Sequence, residues 1–177
     1  VRTVHRLDRV VSGVMVLARS TESASELSRQ IREDKFQKEY LAVVHGVPEG
    51  DKGTLTDLLY RDKARRMTMV AEAPGKGVQE AVLDYEVLSR AENLSKVRIH
   101  LRTGRTHQIR VHMAYIGHPI LGDTVYGHKK PELGQSSQCL HAGVLCFAHP
   151  RDGHPVMVFA ELPQYFKDVL QKLERMT

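Results

Sequence analysis

Residues 96–102 alternate between polar and apolar side chains, and this pattern constrains the fold more than any other feature of the chain. Val97, Ile99 and Leu101 take every second position, with basic side chains between them. Because successive side chains of a β-strand point to opposite faces, the segment predicts a strand with one apolar face and one basic face. A basic sheet face in turn predicts a surface suited to nucleic acid.

Other segments predict that helices accompany such strands. The predicted strands are 14–18, 38–44, 82–88, 139–147 and 156–160, and the predicted helices are 20–34, about 106–117, and 163–175. The apolar run 14–18 is typical of a strand buried on both faces, and Ser23 with Glu26 forms a candidate capping box. Residues 49–79 predict a hairpin excursion or a lobe with a basic edge. A chain of 177 residues with 41% hydrophobic content is sufficient for one globular domain.

Charge and cysteine content narrow the class of protein. A formal net charge of +5 favours a polyanionic partner, although many soluble proteins carry a similar charge. The basic residues within 61–66 could contact RNA phosphates or could form an ordinary solvated face. Cys139 and Cys146 lack the spacing of a zinc site, and we expect reduced thiols in a cytoplasmic protein. No apolar run approaches the length of a membrane span.

Asp8 is the first candidate catalytic residue. It lies between Arg6 and Arg9, ahead of the Ser12–Gly13 turn. Two flanking guanidinium groups favour the ionised carboxylate, which suits a nucleophile or an anion stabiliser better than a proton donor. The alternative is an Arg–Asp–Arg ion-pair cluster at the edge of a loop, and these residues alone leave both interpretations open.

Two further segments contain candidate site residues. Tyr40 shares a strand face with apolar neighbours, so it is either a core tyrosine or a site residue. Arg110 lies on the predicted apolar face of the helix near 106–117, which predicts a buried anionic partner, and Asp8 is the expected one. His107 and His112 are five residues apart, a poor fit to a helical metal site, so we expect no metal there.

A series of short motifs covers nearly the whole chain in order. They are His5-Arg6-Leu7-Asp8 with Ser12-Gly13, Lys38-Glu39-Tyr40, residues 103–112, Pro119-Ile120-Leu121-Gly122-Asp123 with Tyr126-Gly127, and Leu140-His141-Ala142 with His149-Pro150. Together they resemble the successive signatures of the RluA-type pseudouridine synthases. One such motif is weak evidence, whereas five with compatible separations are highly specific.

The resemblance implies an α+β pseudouridine synthase fold, with a long, mixed, largely antiparallel sheet, flanking helices and a central RNA-binding cleft. It also implies isomerisation of specific uridines in RNA to pseudouridine, without cofactor or metal. The expected partner is structured RNA, with ribosomal RNA as the first candidate and transfer RNA as the alternative. We expect a monomer that does not bind membranes. Residues 1–177 would form the catalytic domain, and we expect an N-terminal truncation because the family usually has a further segment before His5-Arg6-Leu7-Asp8.

The resemblance also implies roles for individual residues. Asp8 matches the family's nucleophile, Tyr40 the tyrosine that would stack on the base and assist proton removal, and Arg110 the basic partner of the aspartate. Residues expected to bind RNA or assist base flipping are Arg6, Arg9, Arg102, Arg105 and His107, with Arg6 matching an arginine that replaces the flipped-out base.

Two other classes of function compete with this interpretation. A non-catalytic RNA-binding or RNA-remodelling module on the same fold would be favoured by loss of one of the three catalytic residues, but Asp8, Tyr40 and Arg110 are all present. An unrelated hydrolase using His and Asp would require a metal or a Ser/Cys–His pair. The sequence therefore favours the pseudouridine synthase.

Overall fold

The computed structural model describes residues 1–130, 132–133 and 137–177. The strands are β1 (Arg2–Thr3), β2 (Ser12–Gly13), β3 (Leu17–Ala18), β4 (Gln37–His45), β5 (Lys52–Asp62), β6 (Met67–Ala71), β7 (Val78–Arg90), β8 (Leu94–Leu101), β9 (Leu140–Ala148) and β10 (Pro155–Phe159). The helices are α1 (Thr21–Arg32), α2 (Gln108–Tyr115) and α3 (Gln164–Arg175).

One eight-stranded sheet organises these elements. Its order is β10-β9-β4-β8-β7-β5-β6, with every neighbouring pair antiparallel. The short β2 pairs in parallel with β9, and β1 with β3 forms a separate two-stranded sheet. The predicted α+β fold with a mixed, largely antiparallel sheet is confirmed.

Strand β4 lies at the centre of the sheet and is covered on both sides. Tyr40, Ala42 and Val44 share one core cluster with Ile109 and Met113 of α2. On the opposite face, Val43 packs in a second cluster with the buried side of α3. The alternation predicted for residues 38–44 is confirmed, and the Tyr40 side of β4 is the one that faces α2.

The prediction for residues 14–18 was wrong. Only Leu17–Ala18 is a strand, and it pairs with Arg2–Thr3. Val14 and Val16 pack on the core cluster beside α1, whereas Met15 and Leu17 are 39% and 48% exposed. The physical reason is that packing covers one side of this segment, so its apolar run is not buried on both faces as in a central strand.

The predicted capping box of α1 was also wrong. Ser20, rather than Ser23, caps the helix, and its hydroxyl accepts a hydrogen bond from the Ser23 amide at 3.1 Å. Glu26 instead pairs with Arg29 one turn further along. A serine at either position matches the capping pattern, and the extended backbone at Ser20 decides between them.

The basic face predicted for β8 is largely neutralised by neighbouring strands. Arg98 contacts Glu86 at 3.2 Å and Glu39 at 3.4 Å, and Arg102 binds Asp84 at 2.8 Å. Carboxylates on adjacent strands thus lie opposite the arginines, an arrangement that a single strand's sequence does not reveal. The hairpin predicted within 49–79 is confirmed as β5 and β6.

None of the helices within the described residues is long and apolar enough to cross a membrane.

Candidate active site

A cleft of about 260 Å³ lies between the N-terminal loop, β4 and the segment that leads into α2. The lining residues are Val4, His5, Arg6, Asp8, Val11, Ile31, Lys38, Tyr40, Leu101, Gly104, Arg105, His107, Gln108, Ile109 and Leu140. Its volume is slightly below the roughly 300–1,000 Å³ typical of small-molecule pockets. Asp8 is the only carboxylate among these lining residues.

Close backbone packing fixes the loop that carries Asp8. The Val11 amide donates to the Asp8 carbonyl at 3.0 Å, and the Val14 amide donates to the Ala142 carbonyl at 2.9 Å. Between them, Gly13 has a φ of 141°, and a Cβ at this position would lie 2.3 Å from the Ala142 carbonyl oxygen. Only glycine permits this approach, so β2 attaches the loop directly to β9.

A series of hydrogen bonds through two side chains strengthens the same attachment. Ser12 Oγ lies 2.8 Å from His141 Nδ1, and His141 Nε2 lies 2.8 Å from the Ala160 carbonyl oxygen. Because a carbonyl can only accept, Nε2 carries the proton and Nδ1 accepts from the serine hydroxyl. Ser12 and His141 therefore act as structural residues that position the Asp8 loop.

Arg110 lies behind the cleft, between two carboxylates. Its Nε donates to Asp123 Oδ2 at 2.8 Å and one terminal nitrogen donates to Asp123 Oδ1 at 3.1 Å. Its other terminal nitrogen lies 4.0 Å from Asp8 Oδ2. The expected pairing with Asp8 is thus the longer contact, and Asp123 is the principal partner because it forms a bidentate pair with buried Arg110.

The alternative ion-pair cluster around Asp8 does not form. Arg6 donates instead to Thr106 Oγ1 at 3.4 Å, and Arg9 is exposed. Among the cations that the structure describes, Arg110 alone lies within 4.0 Å of Asp8. The Asp8 side chain is 25% exposed, so it is reachable from solvent while its only close cation is buried behind it.

Tyr40 lies on β4 beside Asp8 and is 8% exposed. Burial raises the pKa of its hydroxyl well above the ordinary 10.0, and the negative charge of Asp8 acts in the same direction. The phenol is therefore neutral at neutral pH. Tyr40 is both a core residue and a cleft residue, so the two interpretations of its sequence pattern are compatible.

A hydroxyl-centred network joins the start of α2 to the β5–β6 hairpin. The Thr68 amide donates to the Tyr126 hydroxyl at 2.8 Å, and that hydroxyl lies 2.7 Å from His107 Nδ1. Burial lowers the pKa of His107, and the charge of Arg110 lowers it further. His107 therefore lines the cleft as a neutral imidazole that the Tyr126 hydroxyl holds in place.

The predicted RNA-contact residues divide into two groups. Arg6, Arg105 and His107 line the cleft, and Arg105 Nε donates to the Glu80 carbonyl at 2.9 Å. Arg9 and Arg102 are absent from the cleft lining, and Arg102 is bound to Asp84.

Sequence reasoning missed three site residues. His5 lines the cleft and its Nε2 accepts from the Val16 amide at 3.0 Å, which joins the Asp8 loop to the segment after it. Lys38 lines the cleft on the same face of β4 as Tyr40, so its two-residue spacing was an available signal. Asp123 lies after α2, where no periodic pattern connects it to Arg110.

Two groups outside the cleft bring possible metal ligands within 4.8 Å of one another. They are His45, His128 and Glu132, and His149, Asp152 and His154. None of the six residues lines the cleft. His112 belongs to neither of these two groups. Its side chain is fully buried, and its Nε2 lies 3.4 Å from a carboxylate oxygen of Asp57.

Comparisons with known proteins identify the family of the chain. A family model described as RNA pseudouridylate synthase matches residues 1–115. An uncharacterized RNA pseudouridine synthase, YlyB of Bacillus subtilis, is 40% identical over 172 residues, which cover 97% of this chain and 55% of that protein. Ribosomal large subunit pseudouridine synthase D of Haemophilus influenzae is 37% identical over 183 residues, with the same two coverages.

A solved structure shares the fold. Human RNA pseudouridylate synthase domain containing 4 superposes with a TM-score of 0.81 at 26% identity, covering 98% of this chain and 76% of that one. The chain spans about half the length of the curated relatives it matches. Together with the family model and the order of the sequence motifs, these similarities show that the chain belongs to the RNA pseudouridylate synthase family, in its RluA-type branch.

Proposed function

We propose that this chain isomerises uridine to pseudouridine in RNA, with Asp8 as the nucleophile. The observation that carries the proposal is the position of Asp8, a solvent-reachable carboxylate that lines the same cleft as buried Tyr40 and lies 4.0 Å from a terminal nitrogen of Arg110. The buried guanidinium orients the Asp8 carboxylate within the cleft, as a nucleophile requires.

The reaction balances without a co-reactant. The C1′–N1 bond breaks with its electron pair leaving on the base, the base rotates, and C1′ bonds to C5. The C5 hydrogen leaves as a proton and N1 gains one, so the product is an isomer of the substrate. Asp8 would attack C1′ or add to C6 and be released when the new bond has formed.

Tyr40 supports this chemistry as a stacking surface. Its ring lies in the cleft wall, and its raised pKa keeps the hydroxyl protonated. A neutral phenol is a poor proton acceptor, so we assign Tyr40 to holding the detached base rather than to removing the C5 proton. Holding the base while it rotates prevents its escape to solvent.

Cations at the cleft and on the β5–β6 hairpin are the proposed RNA contacts. Arg6 and Arg105 lie at the cleft itself, and the exposed tip of the β5–β6 hairpin carries Lys63, Arg65 and Arg66. Phosphate contacts by such cations favour binding and offset the unstacking of the target nucleotide, which costs a few kcal/mol. Arg6 is exposed and could occupy the space that the flipped base leaves.

Ribosomal large-subunit RNA is the substrate that we propose to test first. The support is the similarity to ribosomal large subunit pseudouridine synthase D of Haemophilus influenzae, and transfer RNA is the alternative. The pseudouridine content of both RNAs is measured by chromatography of nucleosides after nuclease digestion. The proposal predicts that the pseudouridine content of one of them increases on treatment with the protein.

The same experiment separates the enzyme from a non-catalytic module. Wild-type protein and Asp8→Asn protein are compared at equal RNA occupancy, measured by filter binding. Conversion by wild type alone supports the synthase. Binding of RNA without conversion, by a folded wild-type protein on both RNAs, would favour the RNA-binding module.

A further inference from the structure

Lys38 is a buried lysine whose ammonium group reaches the cleft. It is 7% exposed and lies two residues before Tyr40 on the same face of β4. Both residues line the cleft together with Asp8. A Cβ on Gly104 would lie 2.8 Å from Lys38 Nζ, so the ammonium packs directly against the backbone at the cleft wall.

This ammonium has no partner in the described part of the chain. No carboxylate lies within 4.0 Å of Nζ, and no group accepts a hydrogen bond from it. Burial lowers the pKa of Lys38 from its ordinary 10.5, and the more distant Asp34 only partly opposes this effect. An unpaired buried ammonium is unfavourable, so the free protein is destabilised by a group that its own contacts do not use.

The other cations near the cleft differ from Lys38 in burial or in partners. Arg110 is bound to Asp123, Arg105 donates through Nε to the Glu80 backbone carbonyl, and Arg6 is exposed at the rim. Neighbouring His5 is neutral, because burial and the charge of Lys38 lower its pKa to about 4. Lys38 is therefore the buried positive charge that remains available to a ligand.

The proposed reaction supplies the missing partner. When the C1′–N1 bond breaks, the electron pair passes to the base, and the negative charge spreads over N1 and the two carbonyl oxygens. Addition of Asp8 to C6 would likewise place negative charge on a carbonyl oxygen. Either route creates an anion in the cleft that Lys38 lines.

We propose, resting on the proposed function, that Lys38 is a catalytic residue that donates a hydrogen bond to a carbonyl oxygen of the target uracil and stabilises the negative charge on the base. A donor placed in advance where charge develops is stronger in a buried cleft than in water. Its position beside Tyr40 would let stacking and charge stabilisation act on the same ring.

The test compares wild type with Lys38→Met, which keeps the length of the side chain and removes its charge. We expect the single-turnover rate at saturating RNA to fall about 100-fold or more, the effect of losing one such donor. We expect the dissociation constant for RNA to change less than about 3-fold, since the contact strengthens mainly in the transition state. The melting temperature should equal or exceed that of wild type, because a buried unpaired charge is removed.

Rescue distinguishes charge from packing. Lys38→Cys protein treated with 2-bromoethylamine gains an amine at the original position, and it should recover at least about 10-fold in rate. Lys38→Met and wild type treated identically control for alkylation of Cys139 and Cys146. Recovery confined to the Lys38→Cys protein supports the role.

Every remaining outcome contradicts either the role of Lys38 or the proposed function. An active wild type with an equally fast Lys38→Met variant overturns the role of Lys38 and leaves the proposed function intact. A loss that lies wholly in RNA affinity would assign Lys38 to a phosphate and also overturns it. A folded wild type that binds RNA and converts no uridine contradicts the proposed function itself.

Discussion

Asp123 binds Arg110 through two hydrogen bonds and leaves one terminal nitrogen of that guanidinium directed at Asp8, 4.0 Å away. Asp123 Oδ1 also accepts from the Val125 and Tyr126 amides at 3.0 and 3.1 Å. The loop after α2 therefore fixes a carboxylate, the carboxylate fixes the arginine, and the arginine faces the proposed nucleophile. Asp123 is in this sense a positioning residue for Asp8.

Asp123→Asn should destabilise the protein strongly. The substitution keeps the size of the side chain but leaves Arg110, with a side chain 5% exposed, without its charged partner. Breaking a buried pair by removing one charge costs about 3–5 kcal/mol, and we expect the lower end because asparagine still accepts one hydrogen bond. Urea denaturation measures the change.

The double variant Asp123→Asn with Arg110→Met is the matched control. It removes both charges, so it should be more stable than Asp123→Asn alone and still inactive. An Asp123→Asn protein as stable as wild type would show that the bidentate pair does not hold Arg110.

Tyr126→Phe should loosen the β5–β6 hairpin. The change removes the hydroxyl that accepts from the Thr68 amide, while the ring over which the Arg110 guanidinium lies at 4.9 Å is kept. Thr68 is 4% exposed, and an unsatisfied buried donor costs about 1–3 kcal/mol. Hydrogen exchange at the Thr68 amide should accelerate, and an unchanged exchange rate there would argue against this attachment.

Acid should destabilise the protein in part through His5. Its pKa is lowered to about 4 by burial first and by Lys38 second, against 6.5 when unperturbed. Because the unfolded chain binds the proton first, the contribution of His5 to the free energy of unfolding is complete above pH 6.5 and is lost as the pH falls through about 4. We expect on the order of 1–2 kcal/mol, since solvent screens a partly buried ring.

His5→Gln isolates this contribution. Glutamine can still accept from the Val16 amide but does not titrate. Between pH 6.5 and 4, wild type should lose more stability than the variant, while the other histidines are common to both proteins and cancel. Parallel curves for the two proteins would exclude the assignment.

Local patterns predicted most of the sheet and the helix positions. Side chains alternate between the two faces of a strand, so the sequence predicted the apolar face of Val97, Ile99 and Leu101 and the face of β4 that contains Tyr40. The prediction for residues 14–18 was wrong because other parts of the chain decide whether a strand is covered on one face or on both. The sequence of β8 also did not show that its arginines are neutralised, because the carboxylates that bind them belong to neighbouring strands.

The sequence predicted the site residues that lie in recognisable motifs. It did not predict the side-chain pairs that form only through tertiary contacts. Asp8, Tyr40 and Arg110 were candidates from local patterns, and the resemblance gave them roles. The structure places Asp8 and Tyr40 in one cleft with Arg110 behind it. The partner of Arg110 was predicted as Asp8, whereas the bidentate partner is Asp123, thirteen residues further along and beyond the end of the helix. Side-chain pairing across a loop has no periodic signal, so sequence alone could not rank the two carboxylates.

The most direct test of Asp8 is tritium release from RNA labelled at uracil C5, because joining C1′ to C5 must expel that hydrogen. Wild type and Asp8→Asn are compared on the same RNA, with RNA affinity measured in parallel. We predict release by wild type, no detectable release by Asp8→Asn, and dissociation constants within a small factor of each other. Release by Asp8→Asn at the wild-type rate, or a loss of binding as large as the loss of rate, would contradict the nucleophile.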